Sequence, residues 1–179
     1  AYLNIGLYAK ADIAWQGFLR FSKNAKDKKE IRTRLQQIEE PLKIEKGYNE
    51  VLAGRYESGI AMLEPFLNTK YSDWWPLYYY LGVAYEMTGN RSEAVDSLKK
   101  ALKLNGSHLE TMKELLAIYE DEGDKANIRK YSKKIEMVQS NIKAEQDAHI
   151  RAIQEEDRKL EEEEPELADP EYIDIETED

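Results

Sequence analysis

The sequence has no cysteine, and it is poor in residues that interrupt helices, with nine glycines and five prolines among 179 residues. Without cysteine, neither a disulfide framework nor a thiolate metal site can form. No apolar run approaches the length that a helix needs to cross a bilayer, so we predict no membrane segment within this sequence. The first residue is alanine rather than methionine, so the sequence leaves undecided whether a leader or an anchor precedes it. The compartment is undetermined: a cytoplasmic location is favoured, and a periplasmic or membrane-tethered one is the alternative.

Catalytic residues are also scarce. The two histidines, His108 and His149, are 41 positions apart, which is not a helical metal-binding spacing. No glycine-rich phosphate loop is present, and the glutamate run 161–164 lacks the ordered oxygen spacing of a calcium loop. We therefore predict a protein that is not an enzyme and that uses no metal or cofactor.

The acidic charge is concentrated near one end of the sequence. Of 36 acidic and 26 basic residues, 14 acidic and two basic ones lie between Gln154 and Asp179. The remainder carries 22 acidic and 24 basic residues, so it is close to neutral. A domain without a dominant basic field is not expected to bind nucleic acid.

The N-terminal part carries apolar residues followed by basic ones. Residues 1–22 predict one or two helices, with Trp15, Phe18 and Leu19 on a buried face, that cap the open end of the stack of helices that follows. Six basic residues in the range 23–34 predict a solvated helix face. Attraction of the acidic tail to these cations is the alternative.

A helical hairpin is predicted between Trp75 and Leu104. Two segments with apolar residues at three-and-four spacing flank a central breaker. Asn90 and Glu93 predict the N-cap of the second helix. Small Gly82 and Ala94 fall where two antiparallel helices would approach closely.

The hairpin pattern recurs along the chain. A forward shift of 34 residues places Gly123 under Gly89 and Tyr119 under Tyr85, and a backward shift of 35 gives Gly54. A fixed period of this length is the sequence pattern of a helical repeat protein.

The residues of this hairpin resemble the tetratricopeptide repeat, a helix-turn-helix unit of about 34 residues. The resemblance implies three copies over roughly residues 40–138 and an all-α fold, a right-handed superhelix of helical hairpins. Pro65 is expected to bend or end the second helix of the first copy. Ser107 and Glu110 predict a capping box at the start of the third copy. The positions that match the repeat are Leu81, Gly82, Tyr85, Ala94, Leu98 and Ala101.

We divide the chain into four parts. Residues 1–40 are N-terminal helices that cap the repeats, and residues 41–138 are the three repeats, with Pro41 in the first turn of a new helix. Because no glycine or proline follows until Pro165, residues 139–164 are predicted to extend one long C-terminal helix. Residues 165–179 form an acidic tail.

The resemblance also implies a concave groove, lined by the first helix of each repeat, that takes a partner peptide. Its lining is aromatic and aliphatic with acidic patches, so we expect it to bind an apolar or helical segment. Packing of the N-terminal helices into the first copy is the alternative for that copy's residues. The groove-facing positions are Ile44, Tyr48, Val51, Leu52, Tyr79, Val83, Glu86, Met87, Lys113, Ala117 and Glu120.

The function that follows is a non-catalytic scaffold or adaptor that binds another protein or peptide. A self-assembling structural subunit, forming a homo-oligomer through the long helix or by placing its tail in a groove, is a second hypothesis. An accessory module of a larger, anchored protein is a third. The tail is expected to dock on a repeat surface through Tyr172, Ile173 and Ile175.

Overall fold

The computed structural model describes residues 7–163, with side chains as far as residue 160. These residues form seven α-helices and one short 3₁₀ helix over Glu64–Phe66, and none of them lies in a strand. The α-helices are α1 (Leu7–Phe21), α2 (Ala25–Leu52), α3 (Tyr56–Leu63), α4 (Trp75–Met87), α5 (Arg91–Leu104), α6 (Leu109–Glu122) and α7 (Lys125–Glu163).

The chain divides into two units, Ala1–Ile135 and Glu136–Asp179. The first unit contains α1 to α6 and the beginning of α7, and it holds the buried core. In the second unit, every side chain from residue 139 to 160 is exposed. Three residues of the predicted tail lie outside the described residues, namely Tyr172, Ile173 and Ile175.

The turns of the three hairpins share one backbone geometry. Gly54, Gly89 and Gly123 follow α2, α4 and α6, and their φ angles are 75°, 81° and 68°. A side chain in this left-handed region is strained, whereas glycine adopts it readily. The predicted period of 34 to 35 residues is therefore confirmed as a repeat of local structure.

Close packing of α4 on α5 explains the small residues of the central hairpin. A Cβ atom on Gly82 would lie 2.6 Å from Cγ of Leu98 and 3.3 Å from the carbonyl oxygen of Ala94. Leu98 and Ala94 are both fully buried. The predicted close approach at Gly82 and Ala94 is confirmed.

The two prolines of the first copy behave differently from one another. Pro65 lies in the 3₁₀ turn that follows the end of α3 at Leu63, which confirms its predicted effect. Pro41 was predicted to open a helix, and this prediction is wrong, because α2 continues through it. The proline ring is buried, and the carbonyl that loses its helical partner belongs to the exposed Gln37. Burial and hydration together offset the missing hydrogen bond.

Helix α5 begins where it was predicted, with a different cap. Asn90 is the N-cap residue, but its side chain makes no hydrogen bond to the helix. Its Nδ2 instead donates to Oγ1 of Thr88 at 3.0 Å. Side chains of this type bond equally well within the preceding turn, which competes with capping.

The capping box predicted for α6 is wrong. The N-cap residue is His108, whose Nδ1 accepts a hydrogen bond from the backbone N–H of Thr111 at 3.3 Å. The hydroxyl of Ser107 donates to Oδ1 of Asn105 in the preceding turn, at 3.2 Å. A ring nitrogen thus serves one of the unpaired amides at the start of the helix.

Helix α1 has a partly buried side and an open side. Trp15 and Leu19 are partly buried, as predicted. Phe18 was also placed on the buried face, but it is 41% exposed and Phe21 is 85% exposed. The apolar residues of α1 therefore form two faces, and α2, on which this helix packs, covers one of them.

Candidate protein-binding surface

The groove face is the side of α2, α4 and α6 that carries the predicted groove residues, and its α2 part is closed. Ile44 and Tyr48 are completely buried and Val51 is 4% exposed, so these three side chains belong to the core. Leu52, at the end of α2, is 62% exposed. Of the four predicted groove positions on α2, Leu52 alone is accessible to a partner.

Helix α1 packs on α2 at Glu45, which lies one position from Ile44 and three from Tyr48. One oxygen of Glu45, Oε2, accepts hydrogen bonds from the backbone N–H groups of Tyr8 at 2.9 Å and Ala9 at 3.3 Å. Glu45 is itself fully buried. The alternative in which an N-terminal helix packs against the first copy describes this part of the structure.

A row of aromatic rings connects α2, α4 and the N-terminal end of α6. The rings of Tyr48 and Tyr80 stack with 4.5 Å between centroids, and Tyr79 contacts Tyr80 edge-on at 5.2 Å. His108 lies 5.0 Å from Tyr79 and 4.2 Å from Trp75. Contacts of this kind contribute stability beyond the area that the rings bury, so they help to hold the aromatic side chains of the groove face in place.

The packing of His108 against Trp75 and Tyr79 affects its protonation. Burial lowers the pKa of His108, which keeps the ring neutral so that Nδ1 can accept the Thr111 amide. His149 is exposed on α7. Neither histidine belongs to a cluster of three or more metal-ligating side chains within the described residues.

The α4 and α6 parts of the groove face are accessible. Met87 is 58% exposed, and Tyr79 and Val83 are partly exposed. On α6, Lys113, Ala117 and Glu120 are exposed. These residues, together with Glu86, are the predicted groove positions that the fold leaves open to a partner.

Acidic groups dominate the charge of this open part. The pKa of Glu114 is raised by burial and by the nearby charge of Glu86. The pKa of Tyr79 rises to about 12, mainly through burial and the charge of Glu114. Oε2 of Glu86 is buried and has no hydrogen-bond partner among the described residues. A cation that entered here would relieve this electrostatic cost.

Arg91 is a cation near this surface, and it is already paired. Its guanidinium donates to Oε1 of Glu86 at 2.8 Å and to Oδ2 of Asp121 at 3.1 Å. It therefore connects α4 to α6 and offsets two of the acidic charges. The exposed Lys113 is the basic residue among the predicted groove positions.

Several residues of this surface had no counterpart in the predicted set. Glu45, Tyr80, Arg91 and Glu114 all act through contacts with other helices, which the repeat pattern does not specify. The sequence around Glu45 has lysine at positions 43 and 46, so nothing local marked this glutamate as buried.

None of the helices in the described range 7–163 combines the length and apolar character that crossing a bilayer requires.

Comparison with known proteins supports the repeat architecture. A family model for the tetratricopeptide repeat matches residues 75–108, the central hairpin. The fold resembles the crystal structure of MamA, with a TM-score of 0.56 and 17% identity over 80% of this chain and 75% of that one. It also resembles a MamA double mutant, RS-1 ArsTM, with a TM-score of 0.57 and 16% identity over 79% and 71%. A search of curated proteins found none that matches. At these identities the likeness establishes the all-α, tetratricopeptide-like fold.

Proposed function

We propose that this chain, which contains a tetratricopeptide repeat, is a non-catalytic scaffold that binds an apolar or helical segment of another protein on α4 and α6. The observation that supports this most is the accessible apolar surface of Tyr79, Val83 and Met87 along α4, in which Tyr79 contacts the ring of Tyr80. Rigid aromatic groups bordered by polar ones are typical of residues that dominate binding energy at protein interfaces.

The charges around this surface define the partner further. Glu114 and Glu120 of α6 lie on the same helix as the exposed Lys113, and Arg91 is already neutralised by two carboxylates. A segment with a lysine or arginine beside its apolar residues complements this surface, whereas an acidic peptide is repelled.

Pull-down with a double variant tests the proposal. Tyr79→Ala with Val83→Glu removes one ring and places a charge on the apolar surface, so we expect the partners captured by the wild-type protein to be lost. The matched control is Gln139→Ala with Asn141→Glu, because both are exposed polar residues of α7 and the second change adds the same charge. Circular dichroism shows whether each variant is folded. A folded double variant that retains the same partners as the control contradicts the proposal.

A second candidate function is self-assembly through α7. The observation in its favour is a set of large apolar side chains that are 39 to 58% exposed on this helix: Met137, Ile142, Ile150, Ile153 and Leu160. Pairing with a second copy would bury them, although their sparse spacing supports only a short coiled coil. Light scattering at two protein concentrations tests this candidate. A wild-type dimer that becomes a monomer with Ile150→Asp and Ile153→Asp supports it, and a wild-type monomer at both concentrations excludes it.

A further inference from the structure

Glu45 is a buried carboxylate that has no basic partner among the described residues. It is 0% exposed, and its Oε2 accepts from two backbone amides, those of Tyr8 and Ala9. The second oxygen, Oε1, is buried without a hydrogen bond to the described residues. Burying a carboxylate away from water is costly unless other groups replace its hydration. At Glu45 the replacement comes from the first turn of α1.

The first turn of any helix can supply this partner. Its N–H groups have no acceptor within the helix, and the helix dipole adds a partial positive charge. Glu45 therefore recognises a backbone feature, so it does not depend on the identity of the residues that carry the amides. One sequence requirement does follow, because an acidic side chain in that turn would repel Glu45. The first turn of α1 contains none.

Helix α1 is held less firmly than the helices it covers. None of its 15 residues is buried, whereas Glu45, Ile44 and Tyr48 of α2, the helix on which it packs, are completely buried. Its other face is open to solvent, with Ile13 72% exposed and Phe21 85% exposed. Local opening of a structure begins at elements that bury few of their own side chains.

The surface beneath α1 continues the proposed binding surface. The ring of Tyr48 stacks on Tyr80, and Tyr80 contacts Tyr79 of the accessible part. Departure of α1 would thus uncover Glu45 next to the open apolar surface on α4, because Tyr48 lies three positions after Glu45 on α2 and stacks on Tyr80.

We infer that α1 is an exchangeable occupant of a helix-binding site, and that a partner helix replaces it with its first turn on Glu45. That helix has an apolar face and carries no acidic residue in its first turn. This inference rests on the proposed function and names the class of partner for the closed part of the same surface. Glu45 is the residue that determines specificity, because it fixes which end of the helix enters the site.

Amide hydrogen exchange of the whole chain tests how α1 is held. Replacing Glu45 with glutamine keeps the shape and removes the charge, so exchange in α1 should accelerate by about tenfold, while α4 to α6 remain protected. Glu39→Gln is the matched control, because Glu39 is an exposed glutamate of the same helix. Exchange in α1 that stays as slow in Glu45→Gln as in Glu39→Gln overturns the role of Glu45. Exchange in wild-type α1 as slow as in α4 overturns exchangeability.

A synthetic peptide with the sequence of residues 1–24 then probes the site. Added in excess to the whole protein, it should displace the resident helix and accelerate exchange in α1, and it should do so less effectively when the protein carries Glu45→Gln. A peptide with Ala9→Glu should lose most of this activity, because the added carboxylate would repel Glu45. The loss would not come from a weaker helix, since an acidic residue in the first turn favours helix formation. A peptide with Gln16→Glu, an acid on an exposed position outside that turn, should keep it.

The outcomes separate this inference from the function it extends. Equal displacement by the Ala9→Glu and Gln16→Glu peptides, or no displacement by the unmodified peptide, overturns the inference. Neither result involves Tyr79 or Val83, so each leaves the pull-down test of the open surface unaffected. Loss of partners in that pull-down, in turn, does not predict how α1 exchanges.

Discussion

The ring of Tyr48 in α2 stacks on the ring of Tyr80 in α4, with 4.5 Å between centroids and 26° between planes. This contact joins α2 to α4, and the ring of Tyr80 in turn contacts Tyr79, where the accessible apolar surface begins. The stacking also has a polar consequence, because it buries the hydroxyl of Tyr48 without a hydrogen-bond partner among the described residues.

Removal of that hydroxyl should stabilise the protein. We expect Tyr48→Phe to raise the free energy of unfolding by about 1 kcal/mol, because a buried hydroxyl without a partner costs desolvation. Chemical denaturation measures the change. The matched control is Tyr85→Phe, which loses a 2.6 Å hydrogen bond to Glu64 and should lower the free energy of unfolding. A decrease for both variants would show that Tyr48 has a partner in solution.

Addition of one methyl group should have opposite effects at two glycines. Gly82→Ala places a Cβ atom 2.6 Å from Leu98, so we expect a loss of about 1–3 kcal/mol through overpacking. Gly17→Ala in α1 meets nothing within 4 Å and should gain roughly 0.5–1 kcal/mol from helix propensity. Thermal or chemical denaturation distinguishes them. Equal effects at the two positions would contradict the close approach of α4 and α5.

The acidic side chains of the groove face should make the stability of the protein depend on pH through Glu114. Burial and the charge of Glu86 raise its folded-state pKa above the unfolded value, so the unfolded chain loses this proton first as pH rises. Stability should fall through that range and stay lower above it. Glu114→Gln should therefore be more stable than the wild type near pH 7 and no different at about pH 3, where the carboxyl is protonated in both states.

Denaturation at both pH values, with Glu120→Gln as the control, measures this effect. Glu120 is exposed on the same helix, so its replacement should change stability little at either pH. A gain from Glu114→Gln that persists at low pH, or an equal gain from Glu120→Gln, would show that the charge of Glu114 is not the cause.

Much of the fold could be predicted from the sequence, because the repeat is encoded locally. The period that aligns Gly89 with Gly123 reflects a turn that needs a left-handed residue, and Gly82 reflects the close contact with α5. Such requirements depend on residues near in sequence. They determine the hairpins without reference to the rest of the chain.

The closed part of the groove could not be predicted with the same security. Ile44 and Tyr48 have the pattern of groove residues, but they lie in the core cluster that also contains Leu63 of α3 and Leu77 of α4. Helix α1 packs on the same stretch of α2 through Glu45, which accepts a hydrogen bond from the amide of Tyr8, 37 positions earlier. The partner of that carboxylate is a pair of backbone amides, which leave no mark on the sequence. The cap at His108 was missed for a related reason, since Ser107 had an alternative acceptor in its own turn.

Site-specific photo-crosslinking tests most directly whether a partner segment binds on α4 and α6. A photoreactive phenylalanine is placed at Met87, which is 58% exposed on the groove face, and separately at Met137, which is 57% exposed on α7. We predict that the probe at Met87 captures a partner segment with apolar and basic residues, and that the probe at Met137 does not. Capture of the same partner from Met137 with none from Met87 would contradict it.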